Sequence, residues 1–371
     1  MGRFIIGKKL LKNLNVPIIV FVLSIAIFGT MNIYSATYLK VGNSYLKLQL
    51  LWIFFGIVLI YGILLIDYSF VANYAKVIYW ASVALLAYND ITSKAIKGAA
   101  AWIRIGNRAI EPGEFAKLGL ALMLSKKIND MNGEINKPKN ILTILIYAGI
   151  PMALIIIQPD MGMTMICFFI VLGIVYIGGI NSKILICSII GVGIMGGLVW
   201  NSGIIKPYQK ARMTAFLNQD ASDPLGDGLQ LKESEIAIGS GGIFGKGYLN
   251  GTQISGGFVP EDHTDFIFSV VGEEWGLVGG GVLLFFYLML ILNINQVSKR
   301  SKDRFGQLMC VGIGSSLLFS VFQNMGMTIG VMPISGITLP FMSYGGSSIL
   351  ANCIGIGLVL NVGMRRNKIN F

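Results

Sequence analysis

An aspartate, Asp265, stands where a long polar stretch enters an apolar run, within residues 260–268 (PEDHTDFIF). At this boundary its carboxylate is partly removed from water, which suits it to accept a proton near neutral pH. The same place suits a helix N-cap, in which Thr264 or Asp265 would hold free amides at the start of a helix. The residues by themselves leave both roles open.

Two glutamates follow Asp265 within the same apolar run. Glu273 and Glu274 would lie about 12 Å deeper along a helix, too far to form a two-carboxylate pair with Asp265. Because acids inside a membrane are costly, we expect both to pair within a helix bundle or to face a polar cavity.

Three more charged residues could serve a site or the fold. Asp160 follows a proline at the start of an apolar run, where capping or an interhelical hydrogen bond is favoured over catalysis. Glu114 and Lys117 are three residues apart and can pair on one helix face. That pair is either structural or a means of presenting the lysine to a ligand.

The glycine-rich run at residues 239–247 superficially matches a phosphate-binding loop. Ser240 stands where the first glycine should be, and Gly247 replaces the serine or threonine that would hold magnesium. The run therefore predicts a tight glycine turn near the membrane surface.

The composition identifies the elements that must position these residues. Hydrophobic residues make up 54% of the chain and charged residues 13%, against about 25% charged in soluble domains. The pattern predicts an all-α polytopic membrane protein with about ten transmembrane helices and a large extracellular loop, 202–265, between helices 7 and 8. The first apolar stretch is too long for a signal-peptide core, so we expect it to be retained. The stretches are 16–36, 46–66, 71–88, 114–128, 140–157, 161–180, 182–201, 266–294, 306–330 and 340–363.

The basic residues orient the chain. With ten spans, four basic clusters fall on one side, which the positive-inside rule makes cytoplasmic, so both termini are predicted inside. This rule largely explains the net charge of +11, and nucleic-acid binding is not needed. The clusters are Arg3, Lys8, Lys9 and Lys12; Lys126, Lys127, Lys137 and Lys139; Lys299, Arg300, Lys302 and Arg304; and Arg365, Arg366 and Lys368.

The polar segments that carry chemistry then converge on the outer face. One of them, residues 89–112, holds an excess of basic residues, which is either tolerated charge near an interface or a cationic lining for an anionic ligand. An outer site has no access to cytosolic nucleotides, so a bond made there needs a substrate that is already activated. The basic residues are Lys94, Lys97, Arg104 and Arg108, against Asp90 and Glu111.

These segments resemble the SEDS family (shape, elongation, division and sporulation proteins) along nearly the whole chain. Several motifs in the right order are more specific than any one of them. They include QPDMG at 158–162, YQ at 208–209, DPLG at 223–226, IAIGSGG at 236–242, GKG at 245–247, HTDFIF at 263–268, GITLP at 336–340 and SYGGSS at 343–348.

The resemblance implies a single transmembrane domain over residues 1–371 that polymerises peptidoglycan strands from lipid II at the outer face of the bacterial cytoplasmic membrane. It makes Asp265 the essential aspartate, accepting the proton of the acceptor 4-hydroxyl while polyprenyl pyrophosphate is displaced with inversion. The implied substrate-binding residues are Lys117, Arg104, Arg108, Arg212, Glu114, Asp160 and Ser343.

The resemblance also implies partners, and it has departures. Ala101 precedes Trp102 where many relatives carry arginine, which weakens the assignment of cations in that loop. Ser335 stands where division-type members tend to have lysine, which favours an elongation (RodA-like) or sporulation role. The implied partners are a single-pass class B penicillin-binding protein, elongation-complex membrane proteins, lipid II and the nascent glycan strand. A divalent cation, magnesium or manganese, is a candidate cofactor that no residue pattern specifies.

Two other functions fit the same composition. A lipid II flippase would suit ten spans and buried acids such as Glu273. A non-enzymatic scaffold for the penicillin-binding protein would make Asp265 a structural cap. The crowding of distinctive residues on one face favours the polymerase over the flippase.

Overall fold

The computed structural model describes residues 8–92, 101–106, 108–201, 210 and 227–366, so the predicted Arg212 lies outside the described residues. Within them the fold is α-helical, with one short antiparallel hairpin. The elements are α1 (Lys8–Leu11), α2 (Val16–Val41), α3 (Ser44–Leu65), α4 (Tyr68–Thr92), β1 (Ile103–Ile105), β2 (Arg108–Ile110), α5 (Pro112–Asp130), α6 (Pro138–Ile157), α7 (Met161–Ile177), α8 (Ser182–Asn201), α9 (Asp227–Gly241), α10 (Thr252–Ser255), α11 (Ile267–Lys299), α12 (Arg304–Thr328) and α13 (Gly346–Met364).

The described chain has ten helices of 17 to 33 residues, and they fall on the ten predicted apolar stretches. Seven of these are long and apolar enough to cross a membrane by length and composition: α2, α3, α4, α6, α11, α12 and α13. Helices α7 and α8 are shorter apolar helices, and α5 carries more charge. The prediction of an all-α polytopic membrane protein is confirmed. The described part of the loop between α8 and α11 contains α9 and α10.

Local sequence explains several helix starts. The Asn15 side chain accepts a hydrogen bond from the Ile18 N–H at the start of α2. Helices α5 and α6 begin at Pro112 and Pro138, where the fixed φ of proline suits the first turn and its missing N–H costs no helical bond.

Helix α11 is interrupted at Gly276, whose φ of 63° lies in the left-handed region. Residues 241–247, here named the glycine turn, pack against the break and supply backbone hydrogen bonds on both sides of it. The N–H of Lys246 donates to the Glu273 carbonyl at 2.9 Å, and that of Leu277 to the Gly242 carbonyl at 3.0 Å. The predicted tight turn is confirmed, and the predicted single span 266–294 consists of two helical pieces.

The two glutamates beside this break are buried and paired, as predicted. The Lys246 ammonium lies 2.6 Å from Glu273 Oε1, and the N–H groups of Gln253 and Ile254 donate to the same carboxylate at 2.8 and 3.0 Å. Glu274 accepts a hydrogen bond from the Ser35 hydroxyl of α2. Glu273 therefore attaches the segment between α9 and α11 to the bundle, and Glu274 attaches α11 to α2.

Helices α12 and α13 form the centre of the described bundle. Helix α13 packs along α3, and α12 contacts α5, α7 and α11. Small residues permit these close approaches: a Cβ added at Gly56 of α3 would lie 2.5 Å from Cys353 Sγ of α13. The segment joining the two central helices, residues 329–345, is here named the α12–α13 loop, and it leads to the site around Asp265.

Candidate active site

Asp265 lies two residues before α11 and is half-buried. The helix begins at Ile267, and its N-cap position is Phe266, at which the described structure has no side-chain capping bond. The Thr264 hydroxyl instead donates to the Glu261 carboxylate at 3.1 Å. These contacts account for the Thr264 hydroxyl, and a capping role for Asp265 stays a prediction beside its role as a proton acceptor.

The backbone of the Asp265 segment is fixed through three successive carbonyls, those of residues 263–265. The Tyr344 N–H donates to the first at 2.9 Å and the Ser343 hydroxyl to the second at 2.6 Å. The Asn324 side-chain amide donates to the third at 2.8 Å. Because all three donors belong to α12 or the α12–α13 loop, this part of the fold decides where Asp265 stands.

Ser343 is 2% exposed, and its hydroxyl is used twice. It donates to the Thr264 carbonyl and accepts from the Leu339 N–H at 2.8 Å. These bonds assign Ser343 a structural role beside Asp265, and the substrate contact inferred from the resemblance stays a prediction.

The predicted pair of Glu114 and Lys117 is confirmed. Lys117 Nζ lies 2.7 Å from Glu114 Oε2 in the first turns of α5, and the two side chains are 4% and 5% exposed. Both partners are buried, so the pair holds two opposite charges inside the bundle at the start of α5.

Asp160 caps α7, as predicted: its side chain accepts from the Met163 N–H at 2.8 Å. Two glycines bring this helix start close to its neighbours. A Cβ at Gly113 would lie 3.0 Å from Met163 Cγ, and one at Gly162 would lie 2.8 Å from the Ser335 carbonyl. The start of α7 therefore contacts both the start of α5 and the α12–α13 loop. In that loop, a Cβ added at Gly336 would lie 3.5 Å from Asp265 Oδ2.

Glu111, the residue before α5, also belongs to this group, although it was not among the predicted site residues. Its N–H donates to the Ser347 hydroxyl at the start of α13, at 3.1 Å. Removal from water raises the pKa of Glu111 well above its ordinary value, and the charges of Glu114, Asp160 and Asp265 raise it further, against Lys117. The signal available in the sequence was its place directly before a helix-starting proline, three residues from Glu114.

The pKa of Asp160 is raised to about 6, mainly by removal from water, with the Met163 N–H opposing the rise and the charge of Glu114 adding to it. Glu111, Glu114, Asp160 and Asp265 are here named the carboxylate cluster. The charges of these carboxylates and of Lys117 act on the pKa values within the cluster. Interacting titratable groups of this kind are typical of catalytic sites.

Two of the predicted arginines lie in the β-hairpin, and the third, Arg212, lies outside the described residues. Arg104 is exposed on β1, opposite Ala109, and Arg108 begins β2, three residues before Glu111. Their contact with an anionic substrate stays a prediction, as does that of Arg212.

An aromatic group stands beside the Asp265 segment. The ring of Tyr45 lies 4.8 Å from that of His263 and 4.6 Å from that of Tyr344, between ring centroids. The buried Asp262 pairs with Lys40 at 2.6 Å. These contacts attach the segment to the ends of α2 and α3 as well as to the α12–α13 loop.

The described residues do not supply a metal site of their own. No group of three or more histidine, cysteine, aspartate or glutamate side chains in the described ranges is arranged to hold a metal ion. The divalent cation therefore stays a prediction.

The family model for FtsW, RodA and SpoVE, described as cell cycle protein, matches residues 15–368. The peptidoglycan glycosyltransferase MrdB of Escherichia coli strain K12 is 32% identical over 359 residues, which are 96% of this chain and 95% of MrdB. The peptidoglycan glycosyltransferase RodA of Treponema pallidum strain Nichols is 30% identical, covering 93% of this chain and 96% of its own.

Solved structures agree with these similarities. A chain from work described as structural coordination of polymerization and crosslinking by a peptidoglycan synthase complex has a TM-score of 0.82 and 30% identity, covering 95% of this chain and 98% of that chain. The crystal structure of the rod shape determining protein RodA of Thermus thermophilus has a TM-score of 0.73 and 27% identity, covering 96% of this chain and 98% of its own.

Proposed function

Because the chain belongs to the FtsW/RodA/SpoVE family of cell cycle proteins, we propose that it polymerises lipid II into peptidoglycan strands with Asp265 as the general base. It is a multi-pass membrane protein and a peptidoglycan glycosyltransferase, like relatives that share 30–32% identity with nearly its whole length. The observation that carries the role of Asp265 is its place: a half-buried carboxylate fixed through its own backbone at the carboxylate cluster.

The reaction is a single displacement. The Asp265 carboxylate accepts the proton of the acceptor sugar 4-hydroxyl, and the freed oxygen attacks the donor anomeric carbon. The bond from that carbon to the pyrophosphate breaks, and its electron pair leaves with the polyprenyl pyrophosphate. The α-linked donor becomes a β-glycosidic bond, and the pyrophosphate linkage supplies the driving force.

Negative charge that develops on the leaving group needs positive charge near it. Lys117 is the buried candidate, and Arg104, Arg108 and Arg212 are candidates on the outer segments. Burial raises the pKa of Glu111, which lessens the tendency of this carboxyl group to add negative charge beside such a substrate.

The membrane setting and partners belong to the same proposal. The basic clusters support a bacterial cytoplasmic membrane with both termini inside and the carboxylate cluster outside. A class B penicillin-binding protein is the proposed crosslinking partner, supported by similarity to a chain of a synthase complex that coordinates polymerization and crosslinking. Ser335 and the similarity to MrdB and RodA support an elongation role, alongside other elongation-complex membrane proteins.

The test is lipid II polymerisation by the purified protein and by Asp265→Asn, each with and without the class B partner. We expect the variant to lose about 10²- to 10⁴-fold in rate while its melting temperature changes little, since the amide keeps the side-chain size but accepts a proton poorly. Glu261→Gln is a matched control, because Glu261 is a half-buried acid in the same segment.

Equal product from the wild type and from folded Asp265→Asn would overturn the base assignment. If wild type with its partner makes no product, the flippase and scaffold hypotheses gain weight. Movement of lipid II across vesicles that hold the purified protein would then separate those two.

A further inference from the structure

Asn324 is a buried amide in the last turns of α12 that touches both sides of the Asp265 site. It is 0% exposed. Its Nδ2 donates to the Asp265 carbonyl at 2.8 Å and to the Ile337 carbonyl at 2.7 Å. A side-chain amide has two N–H donors, so both are used, one on the Asp265 segment and one on the α12–α13 loop.

The loop that Asn324 holds is also the loop beside the carboxylate itself. Gly336 precedes Ile337 and has a φ of 70°, a conformation that favours glycine. A Cβ added at Gly336 would lie 3.5 Å from Asp265 Oδ2. The backbone of the α12–α13 loop therefore passes directly along the carboxylate, and Asn324 ties that backbone to the backbone of Asp265.

We propose that Asn324 is a positioning residue for glycosyl transfer, setting the place of the Asp265 carboxylate relative to the α12–α13 loop. This inference rests on the proposed function of Asp265. The amide acts through the backbone of Asp265 and of the loop beside its carboxylate, so its loss disturbs the geometry of proton transfer more than it disturbs substrate binding. A misplacement of about 1 Å can cost about 10²-fold in rate.

The neighbouring residue offers a matched control. Gln323 is also 0% exposed, and its Nε2 donates to the Pro333 carbonyl at 2.7 Å. It holds the same loop from the same helix turn with the same chemical group. Its hydrogen bond to Pro333 does not involve the Asp265 segment. A purely structural role for these amides predicts similar effects at both positions.

The experiment compares Asn324→Ala with Gln323→Ala in lipid II polymerisation, with initial rates measured over a range of lipid II concentrations. We expect Asn324→Ala to lower kcat by about 10- to 100-fold with KM changed less than about threefold. Gln323→Ala should keep kcat within about threefold at a similar loss of melting temperature. Asn324→Leu, which keeps the approximate size, removes the donors and adds no charge, serves if the alanine variant does not fold.

Equal kcat losses at the two positions, in step with the losses of melting temperature, would overturn the inference. A wild-type kcat in folded Asn324→Ala or Asn324→Leu would overturn it as well. Asp265→Asn measured in parallel distinguishes a failure of the proposed function from a failure of this inference. An active Asp265→Asn contradicts the proposed function itself, whereas an inactive Asp265→Asn with a fully active Asn324 variant contradicts only this inference.

Discussion

Acidic residues in two regions of this protein, the break in α11 and the starts of α5 and α7, have contrasting surroundings. At the break in α11, Glu273 is 0% exposed and is surrounded by donors: the Lys246 ammonium and the N–H groups of Gln253 and Ile254. At the starts of α5 and α7, removal from water raises the pKa of Glu111, and the charges of Glu114, Asp160 and Asp265 raise it further.

Carboxylates have different roles in the two regions. A carboxylate that accepts several hydrogen bonds is stable as an anion and fastens the segments that donate to it. Carboxylates that crowd one another cannot all ionise easily, so their protonation stays responsive to a substrate or to pH. The first region builds the fold, and the second is suited to chemistry.

The largest expected effect comes from Lys117→Met, which removes the cation of the carboxylate cluster. Glu114 would remain buried without its partner, and breaking a buried ion pair in this way costs about 3–5 kcal/mol of stability. We expect a large drop in the free energy of unfolding in detergent together with loss of polymerase activity.

The double variant Glu114→Gln with Lys117→Met sharpens this prediction. Removal of both charges should restore most of the stability. Activity should stay low, because the cation proposed for the pyrophosphate is still missing. Recovery of full activity in the double variant would show that the pair is only structural.

A smaller loss is expected from Glu273→Gln at the break in α11. The variant weakens charge-assisted hydrogen bonds worth about 1.5–3 kcal/mol, but Lys246 is 26% exposed and can turn to water. Stability should fall while kcat per folded molecule is unchanged, as measured by unfolding and by polymerisation rates.

The exposed pair of Lys126 and Asp130 provides the control for Glu273→Gln. Its side chains are 34% and 47% exposed, so Asp130→Asn should change stability by less than about 1 kcal/mol. A loss of kcat in folded Glu273→Gln would contradict the separation between the two regions.

The smallest effect is expected from Asp160→Asn, and it has the opposite sign. The folded pKa of about 6 lies above the ordinary 3.8, so the folded state binds the proton more tightly and ionisation costs stability as pH rises from 4 through 6. Asparagine caps a helix as well as aspartate but carries no charge. The variant should therefore be more stable than wild type at pH 7, by about 1 kcal/mol after allowance for solvent screening.

Melting temperatures measured from pH 4 to pH 7 test this sign. The advantage of Asp160→Asn should shrink towards pH 4, where the aspartate of the wild type is protonated in the folded protein. A variant that is less stable than wild type at pH 7 would show that the charge of Asp160 helps the fold.

The sequence by itself determined the features that depend on neighbours along the chain. Hydropathy placed the ten long helices of the described chain, spacing of three paired Glu114 with Lys117, and the position after a proline made Asp160 a cap. The glycine run predicted a turn because positive φ angles favour glycine. Each of these follows from local geometry or from apolar length alone.

Only the tertiary structure decided the rest, because it depends on residues far apart in the chain. The bond from Asn324 to Asp265 spans 59 positions, and the bond from Ser35 to Glu274 spans 239. The sequence did not predict the break in α11, because the apolar run continues through Gly276. The backbone groups that lose their helical partners at the break form hydrogen bonds with the glycine turn instead. Glu111 joined the carboxylate cluster because packing gathers separate helix starts, which no spacing within a single helix encodes.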